Sequence, residues 1–518
     1  MHGEEALRME NITKVYPNGV IANSDINFSV MKGEIHALSG ENGAGKSTLM
    51  KMLFGIEQPT RGDIYVNGEK KVISSSAEAI GLGIGMVHQH FMLVPSLSVV
   101  ENMVLGQEPR HGVMLDRKTA KAQAKEVSEK YHLDVPLDAP VYDLSVGQKQ
   151  KVEILKALLH GAKILILDEP TAVLTPQETQ ELFVELKNLR DDGYTVIFIS
   201  HKLNEVCELC DRITIIRHGR TMGVYRVRDV SEREISRLMV GRDVILHMEK
   251  TLTTSGDVVL DIKGLSYWNS YGKQRLNDIS LRARRNEVLG VAGVEGNGQA
   301  ELVDIISGNL SRFQGSVRVL GKEVSGMSIR QVRELGVSYI PEDRMTMGMA
   351  GDLSITDNLM ADKSYRERFV GKAGFLDKKS IQEYGADMVN RYQVVCKSPD
   401  QPISSLSGGN IQKVVLAREL SSNPELVIAD QPTRGVDVGA SEFIRQELRN
   451  LRDQGKCVLL VSSDLNELLG LSDRLIVLCD GGIAAYFADI SEVTEEDLGR
   501  YMLGIDRQAD EEIAGVCA

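Results

Sequence analysis

Short runs of consecutive apolar residues recur along the chain, each bounded by glycine, acidic or polar positions. Ile164–Leu167 and Cys457–Val461 are typical, and runs of that length fit buried strands. The segment EIHALSG is an apolar strand that enters a Gly-rich turn, and the following KSTLMKMLFG has helical character. KILILDEP and TVIFISH are again buried-type strands, with the helical ETQELFVELKNLRDDG between them. Residues 116–133, DRKTAKAQAKEVSEKYHL, form a polar stretch that predicts a helix. Strand–helix alternation of this kind favours a parallel sheet with helices on both faces. A membrane span needs about 20 consecutive apolar residues. No such run occurs, so the expectation is a soluble, cytosolic chain whose membrane role, if any, comes through a partner.

The pattern occurs twice. SHKLNEVCELCDRITIIRHG near residue 200 returns as SSDLNELLGLSDRLIVLCDG near 462, and ILILDEPTAVLT returns as LVIADQPTRGVD. LSVGQKQKVEILKALL returns as LSGGNIQKVVLAREL, and GENGAGKSTL returns in degraded form as GVEGNGQAEL. Gly40 to Gly293 and Gln89 to Glu342 are both offsets of 253, whereas Ser145 to Ser407, Asp168 to Asp430 and His201 to Ser463 are each 262. A step of nine (262 − 253) implies one net insertion between residues 342 and 407. Chance similarity does not hold register in this way, so the chain is a tandem duplication. The expected organisation is a first domain over 1–246, a linker HMEKTLTTSGD over 247–257, a second domain over 258–507, and a frayed tail over 508–518.

Composition narrows the classes. Of 518 residues, 60 are Lys or Arg and 73 Asp or Glu, a formal charge of −13, and only 5% are aromatic. That balance lacks the electrostatic footprint of a nucleic-acid binder, so no nucleic-acid partner is expected. With 42% apolar residues the chain can build packed cores. Six cysteines point to a reducing compartment. Cys207 and Cys210 form a lone CxxC inside KLNEVCELCDR, which reads as mid-helix and inert. The opening MHGEEALRMEN has no cationic region followed by an apolar one, so no signal peptide is expected.

The chemistry concentrates in the first repeat. Gly40-Glu41-Asn42-Gly43-Ala44-Gly45-Lys46-Ser47 fits G-x-x-x-x-G-K-[ST] between a predicted strand and a predicted helix. Glycines let successive backbone N–H groups converge on phosphate oxygens, and the helix N-terminus adds its dipole. Lys46 would reach the β- and γ-phosphates, and the Ser47 hydroxyl would ligate Mg²⁺. Asp168 ends an apolar strand, where Mg²⁺ needs a second anchor, and Glu169 beside it can serve as general base. His201 also ends an apolar strand. His88 and His90 lack an evident third ligand for a metal site.

The ordered set Tyr16, GENGAGKST, Gln89, LSVGQ or LSGGN, LDEP and Ser200-His201 resembles the nucleotide-binding domain of ABC transporters, twice over nearly the whole chain. The resemblance implies two tandem ABC-type P-loop ATPase domains. Each would have a parallel-sheet core, an added helical subdomain and an antiparallel β subdomain. Two such domains fused in one chain resemble the ATPase subunits of ribose- and galactose-type importers. VHQHFMLVPSLSVVENMVLG and ADQPTRGVDVGA look most like the branch serving nucleoside importers. The resemblance implies ATP and Mg²⁺ as ligands, with Tyr16 stacking on adenine and Thr48 completing the phosphate loop. Gln89 would sense the γ-phosphate, contact Mg²⁺ directly or through water and meet the permease, and His201 would orient the γ-phosphate and water. The implied partners are two transmembrane permease subunits, nonidentical because HQHFMLVP and PEDRMTMGMA differ, and indirectly a solute-binding protein. The implied location is the cytoplasmic face of the cell membrane.

The second repeat is depleted. Lys46 is matched by Gln299, Ser47 by Ala300, Gln89 by Glu342, Glu169 by Gln431 and His201 by Ser463, and only Asp430 of the working set survives. Glutamine cannot take a proton at neutral pH, so the second general base is gone. The signatures reverse the pattern: the first reads Leu144-Ser145-Val146-Gly147-Gln148, whereas the second keeps Leu406-Ser407-Gly408-Gly409-Asn410. After Walker B, Thr175 in the first repeat faces Asp437 in the second. In the head-to-tail sandwich of ABC dimers each ATP touches one domain's phosphate loop and the other's signature. On that arrangement, Ser407, Gly408, Gly409 and Asn410 complete the first repeat's site, and random decay of a spare domain does not explain their survival. The competing reading is a twin-ATPase translation factor acting on the ribosome. That class resembles proteins with a long charged linker and two catalytic glutamates, and both features are missing here. A DNA-repair ATPase would want zinc-spaced cysteines, which are absent.

Overall fold

A computed structural model describes the chain except for residues 1–3, 18, 42, 89–90, 112–113, 172–173, 201, 242–255, 371–374 and 518. The chain divides into two compact units, Met1–Val244 and Ile245–Ala518. Residues 247–255 of the expected linker lie outside the described residues.

Among the described residues unit 1 carries two large sheets and a two-stranded antiparallel pair, Arg110–His111 with Met114–Leu115. The strands Ile35–Ser39, Thr195–Ile199, Ile164–Asp168 and Ile84–Val87 run parallel in a six-stranded sheet, with Arg212–Arg217 parallel on the other side of Ile35–Ser39 and Arg220–Arg226 antiparallel at the edge. The inner strands are buried on both faces apart from the half-buried Asp168 at the end of one, which is why they read as continuous apolar runs rather than as alternation. A four-stranded antiparallel sheet orders Ile21–Met31, Glu5–Val15, Arg61–Val66 and Glu69–Lys71. One apolar core joins the two sheets through the helix Lys46–Leu53, whose Leu49, Met50, Met52 and Leu53 pack among Met9, Ile12, Phe28 and Ile166. Because both sheets grip this helix, its N-terminus is held in a fixed place at the sheet edge. Three further helices, Val99–Val104, Arg117–Lys130 and Val146–Leu159, make the helical part. The predicted polar helix is Arg117–Lys130, capped by Asp116, whose carboxylate accepts from the Thr119 N–H at 3.1 Å.

Unit 2 repeats this plan, with a six-stranded sheet around Glu287–Ala292 and a four-stranded one around Val258–Trp268. The nine-residue offset is not one insertion. The matching helices Val99–Val104 and Ile355–Met360 differ by 256 (355 − 99), Arg117–Lys130 and Lys378–Arg391 by 261 (378 − 117), and Val146–Leu159 and Gly408–Leu420 by 262 (408 − 146). The extra residues therefore enter in three loops, one between the strand Val337–Ile340 and the helix Ile355–Met360 and two between successive helices. The first of the three follows Glu342.

The lone CxxC, expected mid-helix, sits instead at a helix end: Cys207 lies in Leu203–Leu209 and Cys210 is the extended residue just past it. Burial, followed by Asp211, pushes the Cys210 thiol well above its ordinary range, and all six cysteines are free. No helix among the described residues is long and apolar enough to cross a membrane.

The expected frayed tail is a correction. Asp510–Ile513 is helical, and Val516 is 1% exposed in the core beneath the antiparallel sheet. The Tyr486 N–H donates to Gln508 Oε1 at 2.7 Å, and Arg282 Nη1 donates to the Cys517 carbonyl at 2.5 Å. The polar segment QADEEIAGVCA hid one anchoring valine, and its docking gives unit 2 a strap that polar composition did not suggest. Burying a valine is worth about 1.5 kcal/mol or more. Truncation after Arg507 should therefore lower the melting temperature of unit 2 by about 3–6 °C. An unchanged calorimetric transition would show that the tail carries no stability.

Candidate active site

The carboxyl ends of three neighbouring strands build the site in unit 1. Leu38 is in register with Ile199, and Ile199 with Asp168, so Gly40, Ser200 and Glu169 leave the sheet along one edge. From Ile35–Ser39 the chain crosses to the far edge strand Ile84–Val87, returns through Ile164–Asp168 and Thr195–Ile199, and continues on the opposite side at Arg212–Arg217. This reversal of strand order is the place where an open α/β sheet leaves a crevice for ligand.

The loop between Ser39 and Lys46 is shaped by close approach. A Cβ on Gly40 would lie 2.1 Å from the Ile216 carbonyl oxygen, and one on Gly45 2.5 Å from that of Ala22. Gly43 and Gly45 hold φ of 83° and 100°, the left-handed region that glycine adopts at least cost. Gly45 caps the helix Lys46–Leu53 without a side-chain bond, so its first N–H groups gain no side-chain partner at that cap. Lys46 is buried, and its ammonium donates to the carbonyls of Gly40 at 2.6 Å and Glu41 at 3.1 Å. Burial pushes its pKa down while Glu169, Asp168 and Glu41 push it back up. Ser47 is exposed, and Thr48 is half-buried. Tyr16 OH donates to Glu57 Oε1 at 3.0 Å and lies 3.4 Å from Thr48 Oγ1, which ties its ring to the phosphate-loop helix.

Asp168 faces this cation. Burial and then Glu169 push its carboxyl up to about 6, against the pull of Lys46 and Lys51. A buried acid in that state gains from a further cation, so Ser47 and Asp168 fit a Mg²⁺ site by donor type and by charge. Glu169 has a φ of 48°, a costly backbone state for a residue with a side chain, and its N–H donates to the Ile199 carbonyl at 2.9 Å. Thus Tyr16, Gly40, Glu41, Gly43–Thr48, Asp168 and Glu169 gather at one sheet edge. Asn42, Gln89 and His201 lie outside the described residues, as does His90. Among the described residues no group of three His, Cys, Asp or Glu could hold a metal ion, so His88 gains no metal-site partners there.

Unit 2 keeps the mould and loses the charge. Gln299 Nε2 donates to the Val294 carbonyl at 3.2 Å, repeating the loop-closing bond of Lys46 to Glu41 without the ammonium. Lys51 is matched by Asp304 at the same offset of 253 (304 − 51), so one cation is deleted and another replaced by an anion. Burial and then Asp304 push Asp430 up to about 7, and Tyr339 OH reaches its carboxylate at 3.5 Å. Gln431 holds φ 47°, nearly that of Glu169, and its Oε1 accepts from Ser463 N–H at 3.0 Å and Ser463 Oγ at 3.1 Å. Sequence reasoning missed Lys51 and Asp304. The signal was present in the offset, but only the fold shows that this helical position acts on the strand-end aspartate.

The two signatures differ in how their serines are used. Ser145 Oγ accepts from the Gln148 N–H in a reciprocal capping box. Ser407 makes no such cap on the helix Gly408–Leu420. It is exposed, and its Oγ accepts from Asn410 Nδ2 at 2.9 Å.

A strand, glycine loop and helix, with a carboxylate at the next strand but one, define a P-loop nucleotide-binding core, present here in two copies. The family model described as ABC transporter matches residues 23–172 and 276–434. The chain belongs to the ABC transporter family. It is 44% identical to the Nucleoside import ATP-binding protein NupA of Lactococcus lactis, over 97% of this chain and 99% of that one. It is also 44% identical to the Guanosine import ATP-binding protein NupO of Bacillus subtilis, over 97% and 98%. It is 42% identical to the Glucose import ATP-binding protein TsgD13 of Haloferax volcanii, over 98% and 96%.

Asp430 gives the depleted pocket a pH signature. Its folded pKa of about 7 exceeds the ordinary carboxylate value, so the folded state holds the proton more tightly than the unfolded one. The stability this gives is present at low pH and is lost as pH rises from about 4 through 7. Asp430→Asn should raise the melting of unit 2 at pH 8 by a few degrees, about 2–4 °C per kcal/mol regained, and give no gain at pH 4. Equal shifts at both pH values in calorimetry would contradict the placement of Asp430 as a buried, cation-starved acid.

Proposed function

We propose that the chain is the ATP-hydrolysing subunit of an importer that takes up a nucleoside, or next a simple sugar, through two nonidentical permease subunits. It works at the cytoplasmic face of the membrane, and a solute-binding protein delivers cargo from the other side. The observation that carries this reading is the match at 44% identity over 97% of the chain to proteins named for nucleoside and guanosine import. A glucose-import relative at 42% keeps sugars as the second cargo class. The ribosome-factor reading gains no support from these relatives, and Gln431 stands where that class has a second catalytic glutamate.

One composite site per chain does the chemistry. Unit 1 supplies Tyr16, Gly40–Thr48, Gln89, Asp168, Glu169 and His201, and unit 2 supplies Ser407, Gly408, Gly409 and Asn410. Ser47, Asp168 and Gln89 would hold Mg²⁺, which when bound neutralises charge on the β- and γ-phosphates. Lys46 leaves its loop carbonyls for phosphate oxygens. Glu169 takes a proton from water as the water oxygen bonds to the γ-phosphorus and the bond to the bridging oxygen breaks, giving ADP and phosphate.

Glu169→Gln should lower steady-state hydrolysis by about 10²–10⁴-fold and leave ATP binding intact. Gln431→Glu alone should change turnover little, since Gln299, Ala300 and Asp304 remain, and a doubled rate would show a second live site. Ser407→Ala should cripple hydrolysis far more than Ser145→Ala, and equal losses would sink the asymmetric assignment. For cargo, the chain purified with its permeases should show ATPase stimulation by nucleosides with the cognate binding protein. Stimulation by sugars alone would overturn the nucleoside reading, and two copies of this chain per complex would overturn the stoichiometry.

A further inference from the structure

The first of the three insertions in unit 2 carries a feature that the duplication does not account for. Ala350 lies eight positions after Glu342, whereas Val94 lies five after Gln89, and Ala350 and Val94 are matched by their pairing with Asn358 and Asn102. The extra length forms one helical turn, Arg344–Gly348. Asp343 caps it, accepting from the N–H groups of Met345 at 2.9 Å and Thr346 at 3.2 Å and from Thr346 Oγ1 at 2.6 Å. Its far end is fixed by Arg418 Nη1, which donates to the Gly348 carbonyl at 2.9 Å. The turn is therefore held at both ends, and it carries one cation inward.

That cation is Arg344. Its Nη1 donates to the Arg434 carbonyl at 2.6 Å and its Nη2 to the Gly435 carbonyl at 2.9 Å. The planar guanidinium thus bridges two consecutive carbonyls of the loop that joins Gln431 to Asp437, a geometry an ammonium does not reproduce. The same segment sends Glu342 to an ion pair with the Arg434 side chain. On its other side the guanidinium lies against the signature, because a Cβ on Gly408 would sit 2.8 Å from Arg344 Nη2. The next glycine is packed from the same loop: a Cβ on Gly409 would meet Asp437 Oδ2 at 2.5 Å. Both signature glycines therefore pack against side chains of unit 2. The first unit's HQHFMLVP has no arginine, and there the signature position reads Val146.

We propose that Arg344 is a positioning residue that locks the loop 431–437 and the signature Ser407–Gly409 into one rigid surface for the ATP held by unit 1. The inference rests on the composite-site reading above. In this view the segment that would carry a phosphate-sensing glutamine in a working domain has become a fixed brace in unit 2, and its work is done on the ATP site of unit 1.

The test uses steady-state ATPase of the full chain. Arg344→Ala should lower kcat about tenfold or more while KM for ATP stays within about twofold and the melting temperature is held. Arg344→Lys should recover little, because the two-carbonyl bridge is lost, and full activity in that variant would overturn the bridging role. If Arg344→Ala does not fold, Arg344→Gln reports instead, since a shorter neutral amide cannot bridge both carbonyls and should lower kcat likewise. Ser407→Ala separates the two levels. If it abolishes hydrolysis and Arg344→Ala leaves kcat within twofold, this inference fails alone. If Ser407→Ala is harmless, the composite-site reading fails and takes the inference with it.

Discussion

A carboxylate buried at the end of a strand needs a cation, and much of the chemistry of this chain turns on whether it has one. Asp168 has Lys46 and Lys51 acting on it, and its carboxyl titrates near 6. Asp430 has Asp304 instead, and titrates near 7. Burial raises both aspartates; beyond it, Glu169 adds to the rise in unit 1 against Lys46 and Lys51, whereas in unit 2 Asp304 on the helix Gln299–Ser307 adds to it against Tyr339. On that helix Gln299 stands for Lys46, Ala300 for Ser47 and Asp304 for Lys51, so the charge facing the strand-end aspartate changes sign.

The backbone does not follow the charge. Glu169 and Gln431 hold φ of 48° and 47° and donate their N–H groups to the equivalent carbonyls of Ile199 and Val461. Gln299 still closes its loop on a carbonyl. The mould survives because both sheets are packed through this helix, and a rearranged loop would reopen a core containing Leu302, Val303, Ile305 and Ile306. Side-chain chemistry at the rim is free to change, whereas the strand–loop–helix geometry is held by burial. The strained position persists at Gln431 after losing its general base, which marks it as a property of the fold as well as of the reaction.

Much of this was legible in the sequence. Period, offset and the G-x-x-x-x-G-K-S match located the repeat, the parallel strands and the phosphate loop, because buried strands and glycine turns are short-range features. Three things were not legible. The charge reversal at Asp304 required knowing that a helical position six residues after the loop's Gly298 acts on a strand end more than a hundred residues away. The tail at Val516 reads as polar because a single valine anchors it. The insertion after Glu342 looked like part of one nine-residue step, since offsets taken only at 342 and 407 average over three loops. Long-range placement, not local propensity, separates what was read from what was not.

The brace around Arg344 also changes the meaning of the intact second signature. Survival of Gly408 and Gly409 beside a depleted phosphate loop suggested that both glycines are kept for phosphate approach. Inside unit 2 each has a second reason to be glycine, since Arg344 and Asp437 occupy the space a Cβ would need. The two reasons are linked rather than rival. A guanidinium and a capping carboxylate packed this tightly leave the N-terminus of Gly408–Leu420 little freedom to shift, and a helix N-terminus that does not shift is a preorganised anion site. Ser407, released from the capping box that occupies Ser145, then presents its hydroxyl on a fixed support. The three residues added after Glu342 are what hold the start of Gly408–Leu420 against the loop 431–437.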